Sequence, residues 1–165
     1  MSIEVRKANF DDFSAFKMLW QFYQYHQSSF SFEDIDEQGK FDIDESYLEE
    51  VLKGQDDCNA YIVLSEQLII GFVTIEPVEI IGKEMPELSD IFILPKYRNQ
   101  GIAALVIEQL MHTKEYNEWH VAVYLDDKNA LSFWEKHFKH PNYSNVKKVK
   151  TPDSEEFHEF VVQNA

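Results

Sequence analysis

The first fifty residues alternate between apolar and polar positions in a way that predicts one strand followed by two helices. Residues 3–6 alternate with the period of a strand. Asn9, followed by two aspartates, is typical of a helix start, and apolar residues then recur at helical spacing to about His26. Those apolar positions are Phe13, Phe16, Trp20 and Tyr23. Residues 44–53 predict a second, shorter helix that ends at Gly54.

The middle of the chain is rich in Ile, Val, Tyr and Phe and predicts three strands. Residues 59–64 and 68–77 flank the polar triplet Ser65-Glu66-Gln67, which is the pattern of a hairpin. Residues 88–94 predict the third strand, which stops before Pro95.

The last third of the chain alternates helices and strands. Residues 102 to about 116 carry an apolar face and predict a third helix. Residues 119–125 predict a strand, and residues 127 to about 137 predict a fourth helix. Two closing strands, 146–150 and 156–163, surround a turn that contains Pro152.

The resulting order, β-α-α-β-β-β-α-β-α-β-β, places an antiparallel run of strands before a β-α-β crossover. This order predicts an α/β (α+β) architecture, in which a mixed, mostly antiparallel central sheet carries helices on both faces. A chain of 165 residues suits one domain, and no repeat or linker interrupts it. We therefore expect a single domain over residues 1–165.

The net charge of the chain limits the kinds of molecule that it is expected to bind. The formal net charge is −15, so nucleic acid and anionic membranes are poor partners, because binding their phosphates requires Lys and Arg. A cationic small molecule is favoured, although an acidic protein without such a ligand carries the same charge. Both interpretations stay open on charge alone.

Cysteine and histidine usage excludes several kinds of site. Cys58 is the one cysteine, so neither an internal disulfide nor a zinc site with several cysteines is available. The histidines show no metal-ligand spacing.

The N-terminus has no apolar signal region, and the longest apolar stretch, residues 61–75, is too short and too polar to span a bilayer. We expect a cytoplasmic protein that binds no metal and no membrane.

Residues 98–103 read Arg-Asn-Gln-Gly-Ile-Ala and join a predicted strand to a predicted helix. A helix N-terminus presents unpaired N–H groups and the positive end of its dipole. Gly101 lets the backbone approach an anion, Ala103 keeps the next turn small, and Arg98 adds a positive charge. This combination suits a pyrophosphate. Neither a G-x-G-x-x-G nor a G-x-x-x-x-G-K-[ST] sequence is present, so other nucleotide sites lack their fingerprints.

The segment from Ile93 to Ala103 resembles the acetyl-CoA signature of the GNAT superfamily of N-acetyltransferases. Their pattern is Gln or Arg, two residues, Gly, one residue, then Gly or Ala, and Arg98, Gly101 and Ala103 match it. Residues 127–136 resemble the second CoA-side motif of the family, and the order of elements also matches. The resemblance implies a GNAT-like acyl-CoA N-acyltransferase fold and acetyl-CoA as co-substrate. The residues that it implies for cofactor binding are Ile93, Leu94, Arg98, Asn99, Gln100, Gly101, Ile102, Ala103, Asn129 and Phe133.

The resemblance also implies candidates for catalysis. In the family, a backbone N–H on the strand before the signature polarises the thioester carbonyl, and Ile93 is the expected position. Glu87 falls where some members place a catalytic glutamate, and Asp90 is the second candidate base. The two carboxylates have opposite strand parity, so we expect only one to meet the substrate directly. The alternative roles are a solvated strand end for Glu87 and a capping or surface role for Asp90.

The general acid departs from the family pattern. The family often uses a tyrosine on the helix that follows the 119–125 strand, and Trp134 occupies that position here. An indole N–H does not ionise usefully, which leaves Tyr124 or Tyr143 as substitutes, with Tyr124 as the catalytic candidate. A thiolate leaves without help near its pKa of about 8.5. Trp134 also keeps open a catalytically silent acetyl-CoA-binding sensor or interaction module.

The acceptor site of the family lies under the first helices and their loop. Here this region combines aromatic residues with an acidic run over residues 33–50, a combination that favours an ammonium ligand. Tyr23, Tyr25 and His26 are the candidate substrate-binding residues. We expect a small-molecule primary amine, either polyamine-like or aminoglycoside-like, and a protein or peptide amine is the alternative. Proteins of this family often dimerise, so a homodimer is an open expectation.

Overall fold

The structure is a computed structural model that describes all residues from Met1 to Ala165. Its strands are β1 (Ile3–Lys7), β2 (Asn59–Ser65), β3 (Leu68–Ile80), β4 (Lys83–Ile93), β5 (Glu118–Tyr124), β6 (Tyr143–Val149) and β7 (Phe157–Asn164). Its helices are α1 (Phe13–Ser31), α2 (Glu45–Lys53), α3 (Ile102–Met111) and α4 (Lys128–His137). The predicted order of strands and helices is confirmed.

All seven strands belong to one sheet in the order β1-β2-β3-β4-β5-β7-β6. The pairs β1–β2, β5–β7 and β6–β7 are antiparallel, whereas β4 and β5 are parallel. The register between β4 and β5 consists of one pair, Glu87 opposite His120. The predicted mixed, mostly antiparallel sheet is therefore confirmed, with a parallel crossover through α3.

Residue contacts divide the chain into two compact units. The first unit contains residues 1–74 and 90–97, and the second contains residues 75–89 and 98–165. The chain passes between the units within β3, within β4 and just after Tyr97. None of these points is a linker, and we keep one domain over residues 1–165 as a proposal.

The core of the first unit is built around aromatic side chains. The ring centre of Phe72 on β3 lies 5.2 Å from that of Phe16, 5.3 Å from that of Trp20 and 5.4 Å from that of Tyr23. The buried side chains of α2 that join this cluster are Leu48, Val51 and Leu52. Edge-to-face and stacked rings of this kind add to the free energy gained from burial alone. The helical spacing of the aromatic residues in α1 therefore reports packing onto the sheet.

The core of the second unit lies on one face of β5 and β7. The buried side chains that point to this face are Trp119, Val121, Val123, Phe160 and Val162. Phe138, which caps the C-terminus of α4, packs against Phe160 with ring centres 5.2 Å apart. Because successive strand residues point to opposite faces, the residues between these apolar positions lie on the other face.

Several element boundaries differ from the prediction, among them the end of β3, at Ile80 rather than residue 77, and the start of β6, at Tyr143 rather than residue 146. The helix α1 ends at Ser31 rather than near His26, because the polar residues after His26 continue the helix until Phe32 adopts a left-handed conformation. The helix α3 ends at Met111, before the predicted residue 116. The strand β4 begins at Lys83 rather than at residue 88, because a left-handed turn at Ile81 and Gly82 leads directly from β3 into β4.

Gly71 is the point where β3 passes close to β4. A Cβ atom at Gly71 would lie 2.1 Å from the carbonyl oxygen of Phe92, so even the smallest side chain would force the two strands apart. We expect Gly71→Ala to lower the free energy of unfolding by about 1–3 kcal/mol, as overpacking does in other cores. Urea denaturation followed by circular dichroism measures this change.

Gly39→Ala is the comparison for this variant. Gly39 has a φ of +76° and no atom within 4 Å of an added Cβ, so alanine there costs only the left-handed backbone, about 1 kcal/mol. A Gly71→Ala protein as stable as the wild type would contradict the close approach of the strands.

Candidate active site

The start of α3 has the conformation expected of an anion cradle. Gly101 precedes the helix with a φ of 78°, in the left-handed region that glycine adopts without a steric penalty. The N–H of Leu105 donates to the carbonyl of Gly101, so the amides of residues 102–104 precede the first full helical bond. An added Cβ at Gly101 would meet no atom within 4 Å, so the surface above this turn is open. Glycine is therefore favoured here for its backbone conformation rather than for lack of space.

Arg98 lies at the edge of this turn and is half-buried. Burial lowers the pKa of the Arg98 guanidinium, and the nearby carboxylate of Asp127 acts in the opposite direction. Arginine remains charged despite such a shift. Asn99, with a φ of 59°, and Gln100 are exposed. A fixed positive charge therefore stands next to the open start of a helix, which fits a pyrophosphate.

The second motif opens α4. Asp127 accepts a hydrogen bond from the N–H of Ala130 at 3.0 Å, so it caps this helix. Asn129 is exposed in the first turn, and the ring of Phe133 stacks on that of His137 at 5.7 Å. Trp134 is buried against Phe133 and Phe138. The indole at the usual tyrosine position is thus a core residue.

Ile93 and Leu94, two of the predicted cofactor-binding residues, lie at the end of β4 and directly after it. Ile93 is the last residue of the strand, and its side chain is buried. The N–H of Leu94 donates to the carbonyl of Ile70 at 2.8 Å, so this amide is used within the first unit. Oxyanion stabilisation by the main chain at Ile93 stays a prediction.

Glu87 lies on β4 within the second unit and is held by a histidine. Its Oε2 atom lies 2.5 Å from Nδ1 of His120, and its Oε1 atom accepts a hydrogen bond from the hydroxyl of Ser89 at 3.0 Å. The side chain of Glu87 is 20% exposed, whereas that of His120 is 2% exposed. The carboxylate therefore has one end in the protein and one end that reaches solvent.

Two buried polar residues behind Glu87 were not predicted. Nε2 of His120 lies 3.3 Å from Oε1 of Glu159, and the other oxygen of Glu159 accepts hydrogen bonds from the hydroxyls of Thr151 and Ser154 at 2.5 and 2.6 Å. The sequence offered one signal for them, because His120 stands within the strongly apolar run 119–123 and Glu159 stands beside Phe160. The sequence does not show that these two side chains share one face of the sheet.

Asp90 lies on β4 within the first unit and has different partners. Its Oδ1 atom accepts a hydrogen bond from the hydroxyl of Tyr23 at 2.6 Å, and its Oδ2 atom accepts one from the hydroxyl of Thr74 at 2.5 Å. Both carboxylate oxygens are therefore engaged by buried hydroxyl groups. The structure places Tyr23 in the core, where its hydroxyl serves Asp90, and its contact with substrate stays a prediction.

The remaining predicted residues lie on α1 and at the end of β5. Tyr25 is 74% exposed on α1, and His26 is half-buried with its ring 6.3 Å from that of Phe92. Tyr124 ends β5, where its ring packs 4.6 Å from that of Phe157. Their predicted roles in substrate binding and acid catalysis stay predictions.

The acidic segment between α1 and α2 is held in shape by two polar side chains. The carboxylate of Asp36 accepts hydrogen bonds from the N–H groups of Gln38 and Lys40, which lower its pKa. The side-chain amide of Gln21 donates to the carbonyl of Phe41 at 2.8 Å and accepts from the N–H of Phe41 at 2.9 Å. The carboxylates of this segment are therefore displayed on an ordered loop.

The structure shows no group of three or more His, Cys, Asp or Glu side chains arranged to hold a metal ion. None of the helices combines the length and the apolar character that crossing a membrane requires.

Residues 16–139, most of the chain, match the sequence profile of the acetyltransferase (GNAT) family. The chain belongs to the GNAT family. This GNAT protein is therefore an acetyl-CoA-dependent N-acetyltransferase, with acetyl-CoA as its co-substrate. The family assignment favours catalysis over the alternative of a silent acetyl-CoA-binding module.

Solved structures of other acetyltransferases share the fold of this GNAT enzyme. The PaiA N-acetyltransferase of Thermoplasma acidophilum, in complex with coenzyme A, is 16% identical with a TM-score of 0.61, and the match covers 99% of each chain. Naa50 of Arabidopsis thaliana, in complex with the bisubstrate analogue CoA-Ac-MVNAL, is 12% identical with a TM-score of 0.60, covering 98% of each chain.

An aminoglycoside acetyltransferase from an uncultured soil metagenomic sample, in complex with sisomicin, is 19% identical with a TM-score of 0.60. The match covers 90% of this chain and 95% of the other. No curated protein sequence matches the chain significantly. Identities this low establish the fold of the GNAT enzyme and leave its acceptor amine open.

Proposed function

We propose that this GNAT enzyme acetylates a small, cationic primary amine and uses Glu87 as the general base. The observation that carries the substrate class is the ordered acidic segment between α1 and α2, whose carboxylates lie on a loop held by Gln21 and Asp36. A net charge of −15 adds a long-range attraction for cations.

The pyrophosphate of acetyl-CoA binds, in this proposal, at residues 98–103. The left-handed turn at Gly101 leaves the first amides of α3 directed outward, and the helix dipole favours a negative charge at that position. Arg98 contributes a charge that is partly desolvated, which strengthens its attraction for a phosphate. Asn129, in the first turn of α4, is a further candidate for a polar contact with CoA.

The reaction requires a base because an alkylammonium, with a pKa of about 10, has no free electron pair. The ammonium gives a proton to the carboxylate of Glu87, and the neutral nitrogen then attacks the thioester carbonyl carbon. A C–N bond forms, the C–S bond breaks, and the CoA thiolate leaves with the electron pair. The proton that remains on the amide nitrogen passes to the thiolate, which is a tolerable leaving group, so no step depends on Tyr124.

Glu87 is favoured over Asp90 as the base because of its environment. Both oxygens of Asp90 are held by the buried hydroxyls of Tyr23 and Thr74, whereas one of the two partners of Glu87, the hydroxyl of Ser89, belongs to a half-buried residue. Glu87 reaches solvent with one end while His120 orients the other. A base must come within hydrogen-bond distance of the substrate nitrogen, which requires a carboxylate that reaches solvent.

Release of free CoA from acetyl-CoA in the presence of candidate amines tests this function. The panel consists of polyamines, aminoglycosides, amino acids and short peptides, with acetylated forms of the same amines as matched controls. We expect turnover with polyamines or aminoglycosides, and we expect KM for the amine to rise with salt because screening weakens attraction between exposed charges. Turnover with peptides alone would replace the proposed substrate class, and no CoA release with any amine would contradict the function.

A further inference from the structure

Three ionisable side chains lie in a row in the second unit, one each on β4, β5 and β7. Glu87 lies opposite His120 in the register of β4 and β5, and Glu159 lies opposite Ala122, two residues along β5 from His120. Residues opposite each other, and residues two apart on a strand, share a face of the sheet. Nδ1 of His120 forms a hydrogen bond with Glu87 at 2.5 Å, whereas Nε2 lies 3.3 Å from Glu159 without a hydrogen bond, so the imidazole lies between two carboxylates.

The three side chains differ in how far they are exposed to solvent. The side chains of His120 and Glu159 are 2% and 3% exposed, whereas that of Glu87 is 20% exposed. A small buried apolar cluster, formed by Ile80, Met85 and Val149, lies on the same face of the sheet. His120 therefore has no route to a substrate, and any effect that it has on the reaction passes through Glu87.

The hydrogen-bonding capacity of imidazole defines the charge of this arrangement. A neutral imidazole has one N–H group and one lone pair, so one of its nitrogens would direct a lone pair at a carboxylate oxygen. An imidazolium carries an N–H group on each nitrogen and is attracted to both carboxylates. A buried cation needs such paired anions, and Glu87 and Glu159 supply them.

The buried carboxylate of Glu159 is anchored by the turn before β7. Thr151 and Ser154 donate their hydroxyls to the same oxygen of Glu159, and Thr151 also caps the short helical turn Pro152–Glu155. Hydrogen bonds donated to a carboxylate stabilise its ionised form. The two hydroxyls thereby fix the carboxylate of Glu159 on the side of His120 that faces away from Glu87.

We propose that His120 is a positively charged positioning residue that orients Glu87, and that Glu159 offsets this charge so that Glu87 keeps its capacity to accept a proton. The proposal rests on the role of Glu87 as the base. An imidazolium alone would fix Glu87 in place and also weaken it as a base. With Glu159 on the opposite side, the three groups carry one net negative charge, and only Glu87 reaches the solvent.

Other charged groups on this face lie further from the imidazole. Lys83 on β4 pairs with Glu118 on β5, and Glu118 also accepts a hydrogen bond from Gln163 on β7. Lys147 on β6 lies opposite Val161 and is exposed. The carboxylates of the turn before β7, Asp153 and Glu155, are also exposed. Glu87 and Glu159 are the charged groups within 4 Å of the His120 ring.

Two substitutions with opposite expected effects test the proposal. We expect His120→Asn to lower kcat by about 100-fold through misplacement of Glu87, and to move the acidic limb of the pH–rate profile to higher pH because the cation is lost. We expect Glu159→Gln, which preserves shape, to lower kcat less and to move the same limb to lower pH because an anion is lost. KM for acetyl-CoA should stay constant in both variants. The control is His158→Asn, which replaces the histidine next to Glu159 on β7 and should leave the pH–rate profile unchanged.

Nitrogen NMR of the histidine rings gives a readout that does not depend on turnover. We expect both ring nitrogens of His120 to be protonated at neutral pH in the wild type, with a signal assigned by its absence from His120→Asn. We expect the same signal in Glu159→Gln, where Glu87 still faces Nδ1. If His120→Asn does not fold, as judged by stabilisation with acetyl-CoA, Glu159→Gln carries both measurements. A neutral His120 ring, or shifts of the acidic limb in the same direction in the two variants, would overturn the proposal. A protonated ring in a protein that releases no CoA with any amine would instead overturn the proposed function while upholding the charge arrangement.

Discussion

Replacing Gly101 with aspartate is expected to abolish the stabilisation of the protein by acetyl-CoA. At a hundredfold excess over Kd, a ligand stabilises a folded protein by about 2.7 kcal/mol, which corresponds to a rise in Tm of roughly 5–10 °C for a chain of this size. A carboxylate at residue 101 would stand at the start of α3, where the proposal places the pyrophosphate, and two anions there repel each other. Thermal unfolding with and without acetyl-CoA measures the effect.

Gly101→Asn is the matched control for this variant. Asparagine has nearly the same shape as aspartate, and both tolerate the left-handed conformation that Gly101 adopts at a φ of 78°. We expect Gly101→Asn to retain part of the rise in Tm, because it adds bulk without charge. Equal rises in the wild type and in Gly101→Asp would show that the pyrophosphate binds elsewhere.

Glu87→Gln is expected to produce the largest loss of activity. Removing a general base typically lowers kcat by about 10²–10⁴-fold. Glutamine keeps the size of the side chain and an oxygen for Ser89, so KM for acetyl-CoA should change little. The deficit should shrink as pH approaches the amine pKa of about 10, because the substrate then loses its proton to water. Steady-state rates between neutral and alkaline pH measure both effects.

Asp90→Asn is the companion variant. The asparagine side chain would keep one acceptor for the hydroxyls of Tyr23 and Thr74 but lose the charge that strengthens both bonds. We expect its main effect on the free energy of unfolding, with a smaller loss of kcat than in Glu87→Gln. If Asp90→Asn showed the larger loss of kcat, Asp90 would be the base and Glu87 would not.

The fold was predictable to the extent that each element carries its own local signal. The helix α2 has a capping aspartate at Asp44 and a left-handed Gly54 at its end, and its predicted boundaries agree with the structure to within one residue. The start of β4 lacked such a signal, because residues 83–87 are mostly polar or proline and alternate weakly. Pairing with neighbouring strands, which no local pattern encodes, extends β4 back to Lys83.

The candidate site likewise has a part that the local sequence reveals and a part that it does not. The cradle at residues 98–103 is a continuous segment, so its glycine, its arginine and the start of α3 could be recognised together. The bridge from Glu87 through His120 to Glu159 joins residues that are far apart in the sequence, and only the strand order brings them to one face. The close approach at Gly71 is likewise a property of two paired strands, and a glycine in a strand does not by itself reveal it.

The loop that follows α1 has an energetic consequence for ligand binding. Gln21 pairs with both main-chain groups of Phe41 as a neighbouring strand would, and Asp36 closes the turn between Ile35 and Phe41. A loop that is ordered before a ligand arrives has already lost most of its conformational entropy. An amine attracted by this segment would therefore lose little of its binding free energy to ordering the protein. Even a ligand held by a few charge contacts could then bind without reshaping its site.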